Sequence, residues 1–235
     1  PGAPRGVARG GVGRPAPGPR PRPFPWVFAM PGVVRLQWPI AQNQCTAFGF
    51  HSATDGAMPL APIGHQGNEG LVQRALHKVF GGGGGGNPVW YRLDSGSPSA
   101  LDVGALPGTN VYAPVDGTIV GITPYIVGGQ RFGARIDIQP QSAPSLVVSL
   151  TQLRADPSLK LGSNIVSGAT RLGTVVNLAM VERQALARYT NDQGNPASIE
   201  IRPAASLVLN WKSSFSTAVS VAVGRGGARC GCAAR

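Results

Sequence analysis

Residues 101–122 read LDVGALPGTNVYAPVDGTIVGI. From Thr109 onward the signal is β. Thr109–Ala113 reads as a short strand and Thr118–Thr123 as a second. Asp116-Gly117 between them is a dipeptide that closes tight hairpins, so the two strands are expected to pair across it.

The same signal continues outward. Ala134–Ile138 alternates apolar and polar side chains with period two, as a half-buried strand does. Leu146–Leu150 is a buried run, followed by Leu172–Val176, Ser198–Arg202 and Leu207–Trp211. Between these, 178–190 (LAMVERQALARYT) reads as a helix. Upstream, 69–80 (EGLVQRALHKVF) spaces its apolar residues by three and four, which marks a short amphipathic helix. Gly81 to Gly86 stop it. Six glycines maximise backbone freedom, and no Lys-Ser/Thr follows, so a flexible loop is expected here and a nucleotide-phosphate loop is excluded. Short strands separated by turn residues imply a mainly β fold, with an antiparallel sheet or sandwich, two short helical insertions and disordered tails.

Composition divides the chain. It has 235 residues, with 34 Gly and 22 Pro, and a net charge of +11. Residues 1–35 hold six arginines and no acid, and 213–235 hold three arginines and no acid. The charge therefore describes the tails. Residues 1–35 read as a Pro/Gly/Arg-rich extended or disordered tail, 36–212 as the folded domain with an insertion at 51–99, and 213–235 as a C-terminal tail. A folded basic nucleic-acid domain would gather Lys and Arg on one face, so no specific nucleic acid is expected. The tails could still tether the chain to an anionic polymer. No apolar run reaches the length of a transmembrane helix. Residues 24–34 are too short, and too broken by Pro25 and Pro31, for a signal-peptide core. Cys45, Cys230 and Cys232 make no disulfide framework, and Cys230-Gly-Cys232 is half a structural metal site at most.

The 101–122 block resembles the LytM/lysostaphin-type zinc metallopeptidases, which cut peptidoglycan cross-bridges. Asp102, Pro107, Gly108, Val111, Ala113, Asp116 and Gly117 fall on that family's pattern. Trp38-Pro39-Ile40 and Phe48-Gly49 resemble the opening of such domains. Leu150-Thr-Gln-Leu153 stands where the family has a Tyr-x-His-Leu strand. Residues 161–173 resemble its Gly-rich turn, and Ser198-Ile-Glu-Ile-Arg202 resembles the tail of its His-x-His-Phe-Glu-Val-Arg strand. The resemblance covers 36–211. It implies the duplicated hybrid motif fold and a β groove holding one zinc, at the cell envelope or outside the cell. The family's ligands are a His four residues before the Asp, the Asp, and the second His of His-x-His, with two further histidines aiding catalysis.

Those positions have lost their chemistry here. The first His is Pro98, the His-x-His pair is Pro196 and Ser198, and the His of Tyr-x-His-Leu is Gln152. Asp102 alone remains. One carboxylate is short of the three protein ligands a catalytic zinc needs, and a neutral Gln or Ser is no base near pH 7. The chain's histidines are His51, His65 and His77. His65 with Glu69 mimics a ligand pair in a displaced register, but all three read as ordinary polar residues of the insertion. Asp102 is expected to take backbone donors or an arginine, Arg135 or Arg202. Trp38, Trp90, Tyr91, Tyr112, Tyr125 and Trp211 read as core and groove wall.

The expectation is a catalytically inactive peptidase-like domain without cofactor. It would serve as a binding or regulatory module whose groove, with Asp102, Gln152, Ser198 and Tyr112, holds a peptide, glycan or protein. The alternatives are a divergent zinc-dependent peptidoglycan endopeptidase, and a structural β module of an extracellular assembly. A lipoyl-like carrier is a weaker rival, because it needs a lysine at a hairpin tip and the Asp116-Gly117 turn offers none.

Overall fold

The structure is a computed structural model that describes residues 28–29, 34–53, 56–70 and 88–206. Residues 71–80 of the helix expected at 69–80, the poly-Gly loop, His77, the strand at 207–211, the C-terminal tail and the N-terminal tail except 28–29 and 34–35 lie outside the described residues.

The elements are β1 Phe28–Ala29, β2 Arg35–Leu36, β3 Cys45–His51, β4 His65–Gln66, β5 Val89–Arg92, β6 Ala100–Ala105, β7 Asn110–Tyr112, β8 Gly117–Val127, β9 Gln130–Pro140, β10 Leu146–Ala155, β11 Asn164–Ile165, β12 Arg171–Val175 and β13 Pro196–Pro203. The fold is mainly β. One sheet runs β11-β8-β9-β10-β13-β6-β3-β5-β4, and β12 joins β10 to β7. The sheet is mixed and not purely antiparallel, since β5 runs parallel to both β3 and β4. Parallel neighbours need a long crossover, and the residues between β3 and β5 are long enough to make one.

Alternation along the strands makes the two faces of the sheet. Phe50, Leu101, Ile199, Leu150 and Ile136 stand opposite one another in a single row, all fully buried. Phe48 with Val103, and Ile201 with Val148 and Ile138, extend this face into the core. Burying each such side chain contributes about 1.5–3 kcal/mol. Trp38 and Ile40 are buried against the same core, Trp38 edge-on to Phe48 at 4.5 Å.

The hairpin expected across Asp116-Gly117 does not form. β7 pairs with β12, and β8 pairs with β9 and β11. The true hairpin closes β8 onto β9 at Gly128-Gly129, with φ of +55° and +79°, the left-handed pair that a type I′ turn demands. Gly117 has no positive φ and serves another purpose. A Cβ on it would lie 2.2 Å from the Gln139 carbonyl oxygen, so only glycine lets the two strands meet. Asp116 accepts a hydrogen bond from the Ser167 amide at 2.7 Å and ties the chain to the 161–173 turn.

The expected helix at 178–190 is also absent. Its place is taken by two single 3-10 turns, Leu178–Met180 and Ala185–Arg188. Gln184 is extended and buried between them, with its side chain on the Glu182 carbonyl. The apolar spacing is real, but it buries Leu178 and Leu186 singly, without a continuous helical stripe.

Candidate functional site

The face opposite the core is polar, and its rows follow from the same register. One row reads Gly49, Asp102, Ser198, Thr151; the next reads His51, Ala100, Glu200, Ser149, Asp137. Positions two apart on one strand share a face, so both rows lie together. Asp102, Ser198, Ser149 and Asp137 are all buried, which means this face is itself covered. Part of the cover is apolar. Leu93 and Leu186 close over Gly49, and Leu186 reaches Gly104.

The sequence positions singled out above are brought together in part. Ser198 stands directly opposite Asp102. Gln152 follows Thr151 along β10, at the irregularity between Leu150 and Leu153 where the register with β9 shifts. It has φ +64°, the sole non-glycine residue in the left-handed region among the described residues. The reason lies in the sheet. Residues 146–151 of β10 pair with β13, while 153–155 pair with β12, and Gln152 is the kink at which the strand changes partner. Pro98 precedes β6 and offers only its carbonyl, which accepts from the Leu60 amide. Pro196 opens β13 opposite Gly104. Tyr112 sits on β7 opposite Arg171, in a pairing separate from the Asp102 row. His65 is exposed on β4.

Neither arginine expected beside Asp102 is there. Arg135 donates to Asp137 at 2.8 Å and to Ser149 at 2.9 Å, and Ser149 donates to Asp137 at 2.6 Å. Arg202 is held by Glu200 at 2.6 Å. Asp102 instead faces His51, with Nε2 3.3 Å from Oδ1. The contact is one of charge more than of aligned hydrogen bonding, since Asp102 Oδ1 is buried without a hydrogen-bond donor. His51 Nδ1 donates to the Ser52 carbonyl at 2.8 Å. The Asp102 side chain, against the opposing effect of burial, raises the imidazole pKa to about 9.

The His51–Asp102 pair is the part of the site that sequence reasoning missed. His51 ends β3, two residues after Gly49 and therefore on the Gly49 face, and β3 lies beside β6. A period-two count from Phe48-Gly49 would have placed it, had the β3–β6 pairing been legible.

The raised pKa predicts a pH dependence. A group with its folded pKa above its unfolded value stabilises the fold fully below the unfolded value, near 6.5, and loses that contribution as pH climbs through about 9. Solvent screening of this half-buried pair should hold the loss to about 1 kcal/mol. Thermal unfolding between pH 6 and 10 should show it in the natural chain and not in His51→Gln. Equal decline in both would remove His51 as the cause.

Do these residues fit the zinc that the resemblance implies? A catalytic zinc takes three protein ligands and keeps a fourth position open. Among the described residues no three His, Cys, Asp or Glu side chains converge on a point that would hold a metal ion. Ser198 and Gln152 stand where further imidazoles would be needed. A charged His51, with both ring nitrogens turned to oxygens, has no lone pair to give. The residues present do not fit the metal. Cys45 adds no reactive group, because burial pushes its thiol up to about 12.

No family model matches the chain, and no curated protein matches it. Solved structures similar to it include lysostaphin, at 18% identity over 43% of this chain, with a TM-score of 0.30. Csd3 of Helicobacter pylori is similar at 13% identity over 56% of this chain, also with a TM-score of 0.30. The matches cover 34% and 36% of those two chains, so this chain spans about a third of each.

Proposed function

We propose that this chain is a non-catalytic, peptidase-like binding module of the bacterial cell envelope. The observation that carries the reading is the exchange of chemistry on the Asp102 row. Asp102 and Ser198 stand opposite one another on one face of the sheet beside His51, Gln152 lies at the irregularity in β10 that follows Thr151, and among the described residues no three metal-ligating side chains gather. Where that face is half-exposed, at His51, Thr151, Gln152 and Glu200, it suits a peptide or glycan held by hydrogen bonds. The motif resemblance in 101–122 favours peptidoglycan as the source of that ligand. In this reading the Arg-rich tails add a separate, salt-sensitive hold on anionic polymer.

The test uses the full chain and purified, dye-labelled peptidoglycan sacculi. The chain is expected to sediment with the sacculi and to release no soluble dye, with or without added zinc. Elemental analysis of protein purified without chelator should give well below one zinc per chain. Zinc-dependent release of dye, lost on Asp102→Ala, would establish a divergent endopeptidase instead. Failure to sediment would leave a structural role in an assembly and remove the binding one.

A further inference from the structure

The row that holds Ser198 and Asp102 runs on through Gly49 to Tyr91, which stands beside Gly49 on β5. Part of the segment between β12 and β13 lies against this end of the row. A Cβ on Gly49 would lie 2.6 Å from Leu93 Cδ1 and 2.8 Å from Leu186 Cδ2, and a Cβ on Gly104 would lie 3.2 Å from Leu186 Cδ1. Neither glycine has a positive φ, so neither is there for its backbone. Together they leave a hollow beside Asp102, and Leu186, 1% exposed, fills it. One strand over, the Tyr189 ring stacks on Tyr91 with centroids 4.3 Å apart. Asn68 Nδ2 donates to the Tyr189 hydroxyl at 3.0 Å and to the Arg92 carbonyl at 2.7 Å, which ties this stack to β5.

Little else holds the segment down. Of residues 180–190, Gln184 and Leu186 are buried, and Met180 is 79% exposed. From Val181 to Tyr189 the backbone amides bond only within 178–190 among the described residues: Val181 and Glu182 donate to the Leu178 carbonyl, Ala187 to Gln184, and Tyr189 to Leu186. The base is pinned by the buried Asn195. Its side chain accepts from the Ala179 amide at 2.8 Å, and its carbonyl accepts from the Ala105 amide at 2.9 Å. A segment fixed at its base, with local backbone bonds and one apolar plug, opens at lower cost than the strands beneath it.

We propose that residues 180–190 form a flap over the Asp102–Ser198 end of the polar row, shut by Leu186 in the glycine hollow and by the Tyr189–Tyr91 stack, and that the flap lifts to admit the ligand. Leucine offers no hydrogen bond to the carboxylate beside it, so a ligand that brings polar partners competes for its place. Asp102 and Ser198 are buried while the flap is shut and become reachable when it lifts. The inference rests on the binding-module reading and adds how access to that site is controlled.

The test measures hydrogen–deuterium exchange and carboxyl labelling on the full chain. Gly49→Ala puts a Cβ where Leu93 and Leu186 now sit. Both contacts are ends of flexible side chains, so the plug should leave and the sheet should stay. Tyr189→Ala removes the outer catch. In each variant the amides of 180–190 should exchange at least about tenfold faster, with β6 and β13 unchanged. Labelling of Asp102 by carbodiimide and glycine ethyl ester should rise at least about threefold relative to the exposed Asp94. Unchanged exchange in 180–190 in both variants, or quickening shared equally by β6 and β13, would overturn the flap. Faster exchange with no gain in Asp102 labelling would show that the flap does not control access, and would overturn the proposal equally. Sedimentation with sacculi separates this inference from the one it rests on. A natural chain that does not sediment removes the envelope role, while exchange and labelling still decide the flap. Where it does sediment, both variants should bind more tightly, and weaker or equal binding would overturn the gate and leave the binding role.

Discussion

Gly117→Ala is expected to lose about 3 kcal/mol of stability, the upper end of what overpacking costs. The new Cβ would meet the Gln139 carbonyl oxygen at 2.2 Å and its carbonyl carbon at 3.0 Å. Both belong to the backbone of the neighbouring strand and cannot rotate away. Gly117 pairs with Pro140 on β9 and with Ile165 on β11, so a shift to relieve the clash would disturb two ladders. Gly108→Ala is the control. Gly108 has φ +86° and nothing within 4 Å of an added Cβ, so it carries conformational strain alone, about 1 kcal/mol. Urea unfolding of both variants checks the order. A Gly117→Ala chain as stable as Gly108→Ala would mean that β8 and β9 do not approach as closely as described.

Asp137→Ala should cost about 3 kcal/mol, by leaving charge and hydroxyl buried without partners. Asp137 accepts from Arg135 and from Ser149, which is fully buried and central in β10. Removing the carboxylate strands both donors, and breaking a buried pair from one side is the expensive way to break it. Replacing the whole group, as Arg135→Met, Asp137→Leu and Ser149→Ala together, should recover most of the loss, because no donor is then left without an acceptor. Gly121 sets the bounds of that experiment. A Cβ there would lie 2.8 Å from Asp137 Oδ2, so the strand opposite is already shaped around the carboxylate. If the single and the triple variants are equally destabilised in chemical unfolding, packing and not polar pairing holds this part of the sheet.

Strand content was legible in the residues, because a strand needs only its own alternation. Ala134–Ile138, Leu146–Leu150 and Ser198–Arg202 fall within strands, the run from Leu172 does so as far as Val175, and the apolar members inside the strands are buried. The row that sets Asp102 opposite Ser198 comes from strand pairing alone. What was misread shares one cause. The Asp116-Gly117 signal was read as a turn, whereas Gly117 answers to a carbonyl on β9, more than twenty residues away. The glycine pair that does turn, Gly128-Gly129, carries a turn signal of the same kind. The helix read at 178–190 failed because its backbone finds partners outside itself, as where the Asn195 side chain accepts from the Ala179 amide at 2.8 Å.

The sequence by itself determined which residues alternate and which are apolar on one face. Those are properties of single positions and short spacings. Only the tertiary structure decided which strands pair, and with that came everything chemical about the site. His51 meets Asp102 because β3 lies beside β6. Arg135 and Arg202 are taken by Asp137 and Glu200 because the pairs stand two apart on their own strands, facing one way. Gln152 is left-handed because β10 must pass from β13 to β12. Strand pairing joins residues distant in the chain through backbone hydrogen bonds that every residue type can make, so side-chain identity alone does not specify it.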